Sequence, residues 1–211
     1  MVFGRLHVLP IVTDFLRRHP AVRIRLLLSD EVLSLVDEGI DVGGDFYDLF
    51  SLADDRWAVV IGDVCGTGPA AAAVTGLARH TIASAAWHSD GHTTVLENLN
   101  RAMRERQTSS FCTVVYGTLQ PDAGGMRFPA AVAGHPLPIV VRADGTPQTL
   151  GEPGSLVGMF DDIRVSPTTT ILRPGDTLVL YTDGVTDVRP PYGLTPLQLQ
   201  ELVAGAAAAS T

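Results

Sequence analysis

Cysteine is scarce in this sequence, and so are charge, aromatic side chains and long apolar runs. The two cysteines, Cys65 and Cys112, stand apart with no metal-ligand spacing and no obvious histidine partner. A disulfide scaffold is therefore excluded. A reducing, cytoplasmic setting is expected, with both thiols acting as small buried hydrophobes. No apolar run approaches the ~20 residues that a membrane span needs. The first residues, MVFGRLHVLPIV, lack the apolar stretch and small-residue cleavage site of a secretory leader. Basic residues number 15 against 23 acidic ones, for a net charge of −8. A nucleic-acid footprint needs the opposite balance, so neither nucleic acid nor membrane is an expected partner.

What is present is apolar and patterned. Hydrophobic residues make up 45% of the 211 positions, enough for a sizeable core in one ordinary domain. Residues 1–42 read as a compact αβαβ unit. Helical spacing runs through Leu6, Leu9, Val12 and Leu16, and residues 21–29 (AVRIRLLLS) read as a strand. Asp30 caps a short helix that Gly39 ends, and a strand begins at Ile40. From Gly43 the pattern changes. DFYDLFSL and WAVVIGDV flank a turn at Ala53-Asp54-Asp55-Arg56 and read as a hairpin. Two helices are predicted over about 70–87 and 94–107. Strands follow at 111–119, 126–134, 137–143, 167–172 and 177–182, then a tail helix in PLQLQELVAG. Hairpins, then two long helices, then more strands argue for an α+β fold: two mostly antiparallel sheets with helices outside.

The hairpin carries the chemistry. Residues equidistant from its turn set Asp45 nearly opposite Asp63, and opposed like charges on one sheet face are destabilising. If they converge, a proton, a basic side chain or a hard divalent cation must neutralise them. No basic residue lies next to either. Gly43-Gly44 and Gly62 strip away bulk where an ion and a substrate need room. Asp183 repeats the pattern at the end of the apolar strand 177–181, before Gly184, with Asp187 close behind. One Asp-Gly pair is ordinary turn chemistry. Three glycine-flanked aspartates at strand ends point to Mg²⁺ or Mn²⁺, and the absence of a His/Cys cluster disfavours zinc. Such a site suits hydrolysis of a phosphate ester by a metal-activated water.

VGGDFYDLF (42–50), IGDVCGTGPAAA (61–72), FCTVVY (111–116), AGHPLPIVV (133–141) and LYTDGVTDVR (180–189) resemble, in order, the motifs of the PPM family of metal-dependent protein phosphatases. The resemblance is to its bacterial SpoIIE-like branch. It implies an αββα sandwich with a dinuclear Mn²⁺/Mg²⁺ centre between the sheets. By motif, Asp45 resembles the ligand of one metal, Asp63 the bridging ligand and Asp183 a ligand of the other, with the Val64 carbonyl as a further donor. The implied substrate is a phosphoserine or phosphothreonine on a phosphoprotein such as an anti-sigma-factor antagonist. Small phosphate esters are a further expectation if the site is open.

Two departures stand out. The family normally continues to a strand bearing an Asp-Asp pair, which this sequence does not hold. Residues 43–211 are thus expected to be a C-terminally truncated phosphatase domain. Its second metal should be weak, absent, or completed by water or another chain, leaving one or two ions, and an exposed sheet edge would invite a homo-oligomer. Residues 4–42, in turn, resemble the start of the effector-binding domain of LysR-type regulators, so 1–42 reads as a LysR-like fragment with a structural role. Two functions follow: a metal-dependent phosphomonoesterase, or a catalytically impaired hybrid serving as an oligomeric scaffold.

Several residues are set aside. Asp90-Gly91-His92 imitates the DGH triplet of eukaryotic members but lies between helices and reads as a loop with a cap. His135, before Pro136, reads as a turn residue rather than a base. Asp48 is expected on the face of Phe46 and Phe50 only if the strand bulges, and otherwise on the Asp63 side. Asp54-Asp55 and Asp161-Asp162 read as solvated turns. Gly66-Thr67-Gly68 reads equally as a phosphate loop or a tight turn into a helix.

Overall fold

The computed structural model describes residues 23–27, 44–106, 110–186 and 194–208, and of 23–27 the backbone alone. Nine strands and three helices are described: β1 (Arg23–Leu27), β2 (Asp45–Ser51), β3 (Trp57–Val64), α1 (Gly68–His88), α2 (His92–Glu105), β4 (Cys112–Asp122), β5 (Gly125–Ala133), β6 (Ile139–Val141), β7 (Pro147–Thr149), β8 (Thr168–Leu172), β9 (Thr177–Tyr181) and α3 (Pro196–Ala208). They form a five-stranded sheet, β2-β3-β4-β5-β8, and a four-stranded sheet, β1-β9-β6-β7. All pairings are antiparallel except β1 with β9, which is parallel.

Strand alternation sorts the apolar residues into layers. On the outer face of the five-stranded sheet, Phe46, Ala58, Val60, Val114 and Tyr116 meet Val74, Ala78 and Ile82 of α1 and Leu96, Leu99 and Met103 of α2. The inner face, with Leu49, Val59, Ile61, Val115 and Leu119, meets Val140, Leu178 and Leu180 of the four-stranded sheet. The far face of that sheet, with Ile139, Val141, Val179 and Tyr181, is covered by Leu199 and Val203 of α3. The result is the expected αββα sandwich of packed sheets. β9 is buried along its whole length, as a strand covered on both faces must be, which explains its unbroken TLVLY.

Local chemistry fixes the ends. Asp54 and Asp55 both take positive φ, 58° and 54°, at the tip of the β2–β3 connection. The Arg56 N–H donates to the Ala53 carbonyl at 3.3 Å and the Arg56 carbonyl accepts from the Leu52 N–H at 2.7 Å, so Arg56 faces two residues. That one-residue offset beside the turn sets the ladder that runs from Ser51↔Trp57 to Asp45↔Asp63. Pro69 starts α1, and its buried residues Ala71, Val74, Ala78, Ile82 and Ala86 repeat at helical spacing.

The structure corrects four expectations. From Asp45 to Ser51 the pairing is unbroken, and Phe46, Asp48 and Phe50 still share a face, because residues two apart in a strand always do. Cys65 is exposed rather than buried; only Cys112 is a core thiol, 3.5 Å from the Met103 sulfur. β7 lies in a stretch to which the sequence assigns no element, because three partly exposed residues, PQT, carry no apolar alternation. Both helices begin about two residues earlier than their apolar patterns. Of the αβαβ unit, the strand of 21–29 is present as β1. Its helices and the strand from Ile40 lie outside the described residues. Among the described residues no helix is long and apolar enough to cross a membrane.

Candidate metal centre

Asp45 opens β2 and Asp63 sits one residue from the end of β3, and the ladder sets them directly opposite each other. Their carboxyls share a hydrogen bond, which requires a proton on one of them. Burial, then the charge of Asp45, then that of Asp183 push the Asp63 carboxyl up to about 7, and a backbone hydrogen bond from Val64 opposes the rise. The backbone closes in on the pair. The Val64 N–H donates to the Gly44 carbonyl at 3.1 Å. A Cβ on Gly44 would collide with the Val64 carbonyl oxygen and come within 2.7 Å of Asp63 Oδ1. Glycine is the residue that lets this carbonyl and these carboxyls crowd together.

Asp183 arrives from the other sheet. It begins a 3-10 turn, Asp183–Val185, directly after the buried β9. Its charge reaches Asp63, but its side chain is exposed. Among the described residues no three His, Cys, Asp or Glu side chains form a metal-holding cluster. The structure therefore brings Asp45 and Asp63 together and leaves Asp183 near them without joining it to the pair. Asp187 lies outside the described residues.

Polar contacts join the sheets beside the pair. Thr182, fully buried, donates its hydroxyl to Asp45 Oδ2 at 3.2 Å. His135 lies in the bend between β5 and β6, and it is only 5% exposed there. Its Nε2 lies 3.0 Å from the Tyr181 carbonyl and its Nδ1 lies 2.7 Å from Thr113 Oγ1. Facing a carbonyl, Nε2 must carry the proton, so Nδ1 accepts from the Thr113 hydroxyl. Burial holds this imidazole down to about 4, against a weaker opposing bond to Tyr181, so it is neutral at ordinary pH. Neither threonine carries a signal in the sequence. His135 hides behind a His-Pro pair that reads as a turn.

The remaining aspartates lie elsewhere. Asp48 faces α1, where it binds Arg79 at 2.9 Å. Asp54 and Asp55 are exposed at the turn. Asp90 pairs with Arg56 at 2.6 Å, and His92 opens α2 against Tyr116 and Thr118. Asp161 pairs with Arg104, and Asp162 is exposed beside it. Gly66 and Gly68 have φ of 104° and 80° and form the tight turn into α1.

The donors suit a hard divalent cation: all are oxygen, two of them opposed carboxylates with a backbone carbonyl beside them.

Similarity to known proteins agrees with this geometry. The sequence profile of the family described as Stage II sporulation protein E (SpoIIE) matches residues 53–211. Protein IcfG of Synechocystis sp. is 28% identical over 76% of this chain, and phosphoserine phosphatase RsbU of Bacillus subtilis is 29% identical over 79% of it. The aligned regions are 30% and 53% of those proteins, so the chain spans about half their length or less. The crystal structure of the RsbU and RsbW domains of Rv1364c from Mycobacterium tuberculosis superposes with a TM-score of 0.68 at 27% identity, covering 89% of this chain and 50% of that one. The profile match begins at residue 53 and lends no support to the LysR-like resemblance of residues 4–42. The motifs, the sandwich and the opposed aspartates converge with a match over most of the sequence: this chain belongs to the SpoIIE family.

Proposed function

We propose that this domain hydrolyses phosphoserine or phosphothreonine monoesters on a partner phosphoprotein, with Mn²⁺ or Mg²⁺ as its cofactor. The observation that carries the reading is the opposed pair Asp45 and Asp63, pressed against the Val64 carbonyl by Gly44 and kept protonated up to about 7. Asp63, under the charge of both other aspartates, would be the ligand shared between ions. Asp45, the Val64 carbonyl and Asp183 would supply the remaining protein donors. When bound, the ion supplies the activation of a water and offsets charge on the phosphoryl oxygens. Thr182 orients the Asp45 carboxylate by donating to it. Asp63 must give up its proton to take the cation, so loading releases a proton.

Small activated phosphate esters are proposed as further substrates, and an anti-sigma-factor antagonist is the proposed class of protein substrate. Residues 1–42 are proposed to serve the same domain structurally, since β1 lengthens the four-stranded sheet beside β9. A reducing, cytoplasmic setting is proposed from two free cysteines.

A second reading, a catalytically impaired scaffold that oligomerises through a sheet edge, is favoured by one observation: Asp183 does not join the pair in a cluster. Hydrolysis of a chromogenic aryl phosphate with and without Mn²⁺, beside Asp63→Asn, separates the two. Mn²⁺-dependent turnover that Asp63→Asn abolishes is the expected result. No turnover by folded protein at any Mn²⁺ concentration overturns the phosphatase reading in favour of the scaffold.

A further inference from the structure

We propose that His135 is a positioning residue that ties the two sheets together beside the acidic pair and thereby sets how tightly the centre holds its divalent cation. The inference rests on the metal-dependent reading above. The proposed ligands come from both sheets: Asp45, Asp63 and Val64 from the five-stranded sheet, Asp183 from the end of β9 in the other. Apolar packing holds the sheets face to face, but it is non-directional and tolerates sliding. Hydrogen bonds do not, and His135 makes one on each side.

The ring stands at the crossover between β5 and β6, on a backbone that is itself pinned. Gly134 bridges to Val114, donates its N–H to the Gly154 carbonyl at 3.2 Å and takes a φ of 66° against Leu156. Thr113, which donates to Nδ1, is the ladder partner of Asp63. Tyr181, whose carbonyl accepts from Nε2, precedes Thr182, and Thr182 donates to Asp45. The contacts thus run from the neighbour of one aspartate, through the imidazole, to the residue holding the other. A neutral imidazole has one donor and one acceptor at opposite ends of a rigid ring, which is what these two partners require. Side chains that orient metal ligands in this way typically alter affinity about 10–100-fold when lost.

The test is Mn²⁺ binding to the full chain, followed by the electron paramagnetic resonance signal of free Mn²⁺, for wild type, Asp63→Asn, His135→Asn and His135→Gln. Asn keeps an acceptor near Thr113 but cannot reach the Tyr181 carbonyl; Gln carries a donor to that carbonyl. The expected result is Mn²⁺ affinity weakened about 10–100-fold in His135→Asn, largely restored in His135→Gln. Aryl phosphate turnover in the Asn variant should recover as Mn²⁺ is raised, with KM for the ester little changed. A folded His135→Asn that binds Mn²⁺ like wild type overturns this inference alone. Wild type binding no better than Asp63→Asn overturns the metal reading and this inference with it. The tautomer gives a readout free of metal: ¹⁵N spectra should show the His135 proton on Nε2, and a proton on Nδ1 refutes the bridge.

Discussion

One hairpin carries two pairs of aspartates, and they live under opposite physics. At its closed end Asp54 and Asp55 form the turn, exposed, with their carboxyls in water. At its open end Asp45 and Asp63 face each other across the ladder, partly buried, sharing a hydrogen bond. Residue type and hairpin are the same, so the difference comes from surroundings alone. The first pair shapes the backbone. The second is an electrostatic conflict maintained by the fold, and the function proposed above rests on its relief by a cation.

The contrast is broken most severely by removing the conflicted carboxylate. Asp63→Asn should lower Mn²⁺-dependent turnover by more than the roughly 100-fold that outer-shell losses reach, while Asp54→Asn and Asp55→Asn leave it unchanged in the same steady-state assay. Acid is the next largest lever. Burial holds His135 down to about 4, against an ordinary imidazole value of about 6.5, so the unfolded chain binds the proton more readily than the folded one. Stability from this group is fully present above pH 6.5 and is lost as pH falls towards 4, by about 3 kcal/mol at most. Denaturant titrations of His135→Gln should lack this portion of the acid loss. Gly44→Ala forces a methyl against the Val64 carbonyl and Asp63 and should cost about 2 kcal/mol, seen as a lower midpoint in urea.

Two smaller effects sharpen the comparison. Without metal at pH 8, Asp63→Asn relieves the repulsion. The folded group is raised from 3.8 to about 7, so the cost it imposes appears above 3.8 and is complete above 7. Since the site is half open to water, the variant should gain only about 1 kcal/mol, read as a higher Tm for the inactive protein. Asp55→Gly at the turn should move stability by no more than about 0.5 kcal/mol.

Much of this arrangement is legible in the sequence, for identifiable reasons. The register Asp45↔Asp63 is legible by counting equal distances from Asp54, although the ladder reaches it through a one-residue offset at Arg56 beside the turn. β9 is legible because burial on both faces demands an unbroken apolar run. The face of Asp48 is legible too, but only by strict counting, since period two places 46, 48 and 50 together without any bulge. His135 is not legible as buried, because a His-Pro pair has the local chemistry of a surface turn and only the closing of two sheets over it decides otherwise. Thr113 and Thr182 look like any strand threonines; their role depends on what lies across the sandwich. The parallel pairing of β1 with β9 has no local signature at all.

That last pairing bears on the order of assembly. β2 and β3 are neighbours in the chain and can zip as soon as both exist. β9 must find β6 in the middle of the chain and residues 23–27 near its beginning. Contacts of such long sequence separation form slowly, because the loop they close is costly in entropy. The Asp45–Asp63 pair is therefore expected to exist during folding before Asp183 reaches it. On the proposed metal-dependent reading, the centre would begin as two carboxylates, and Asp183 would be added only when β9 docks.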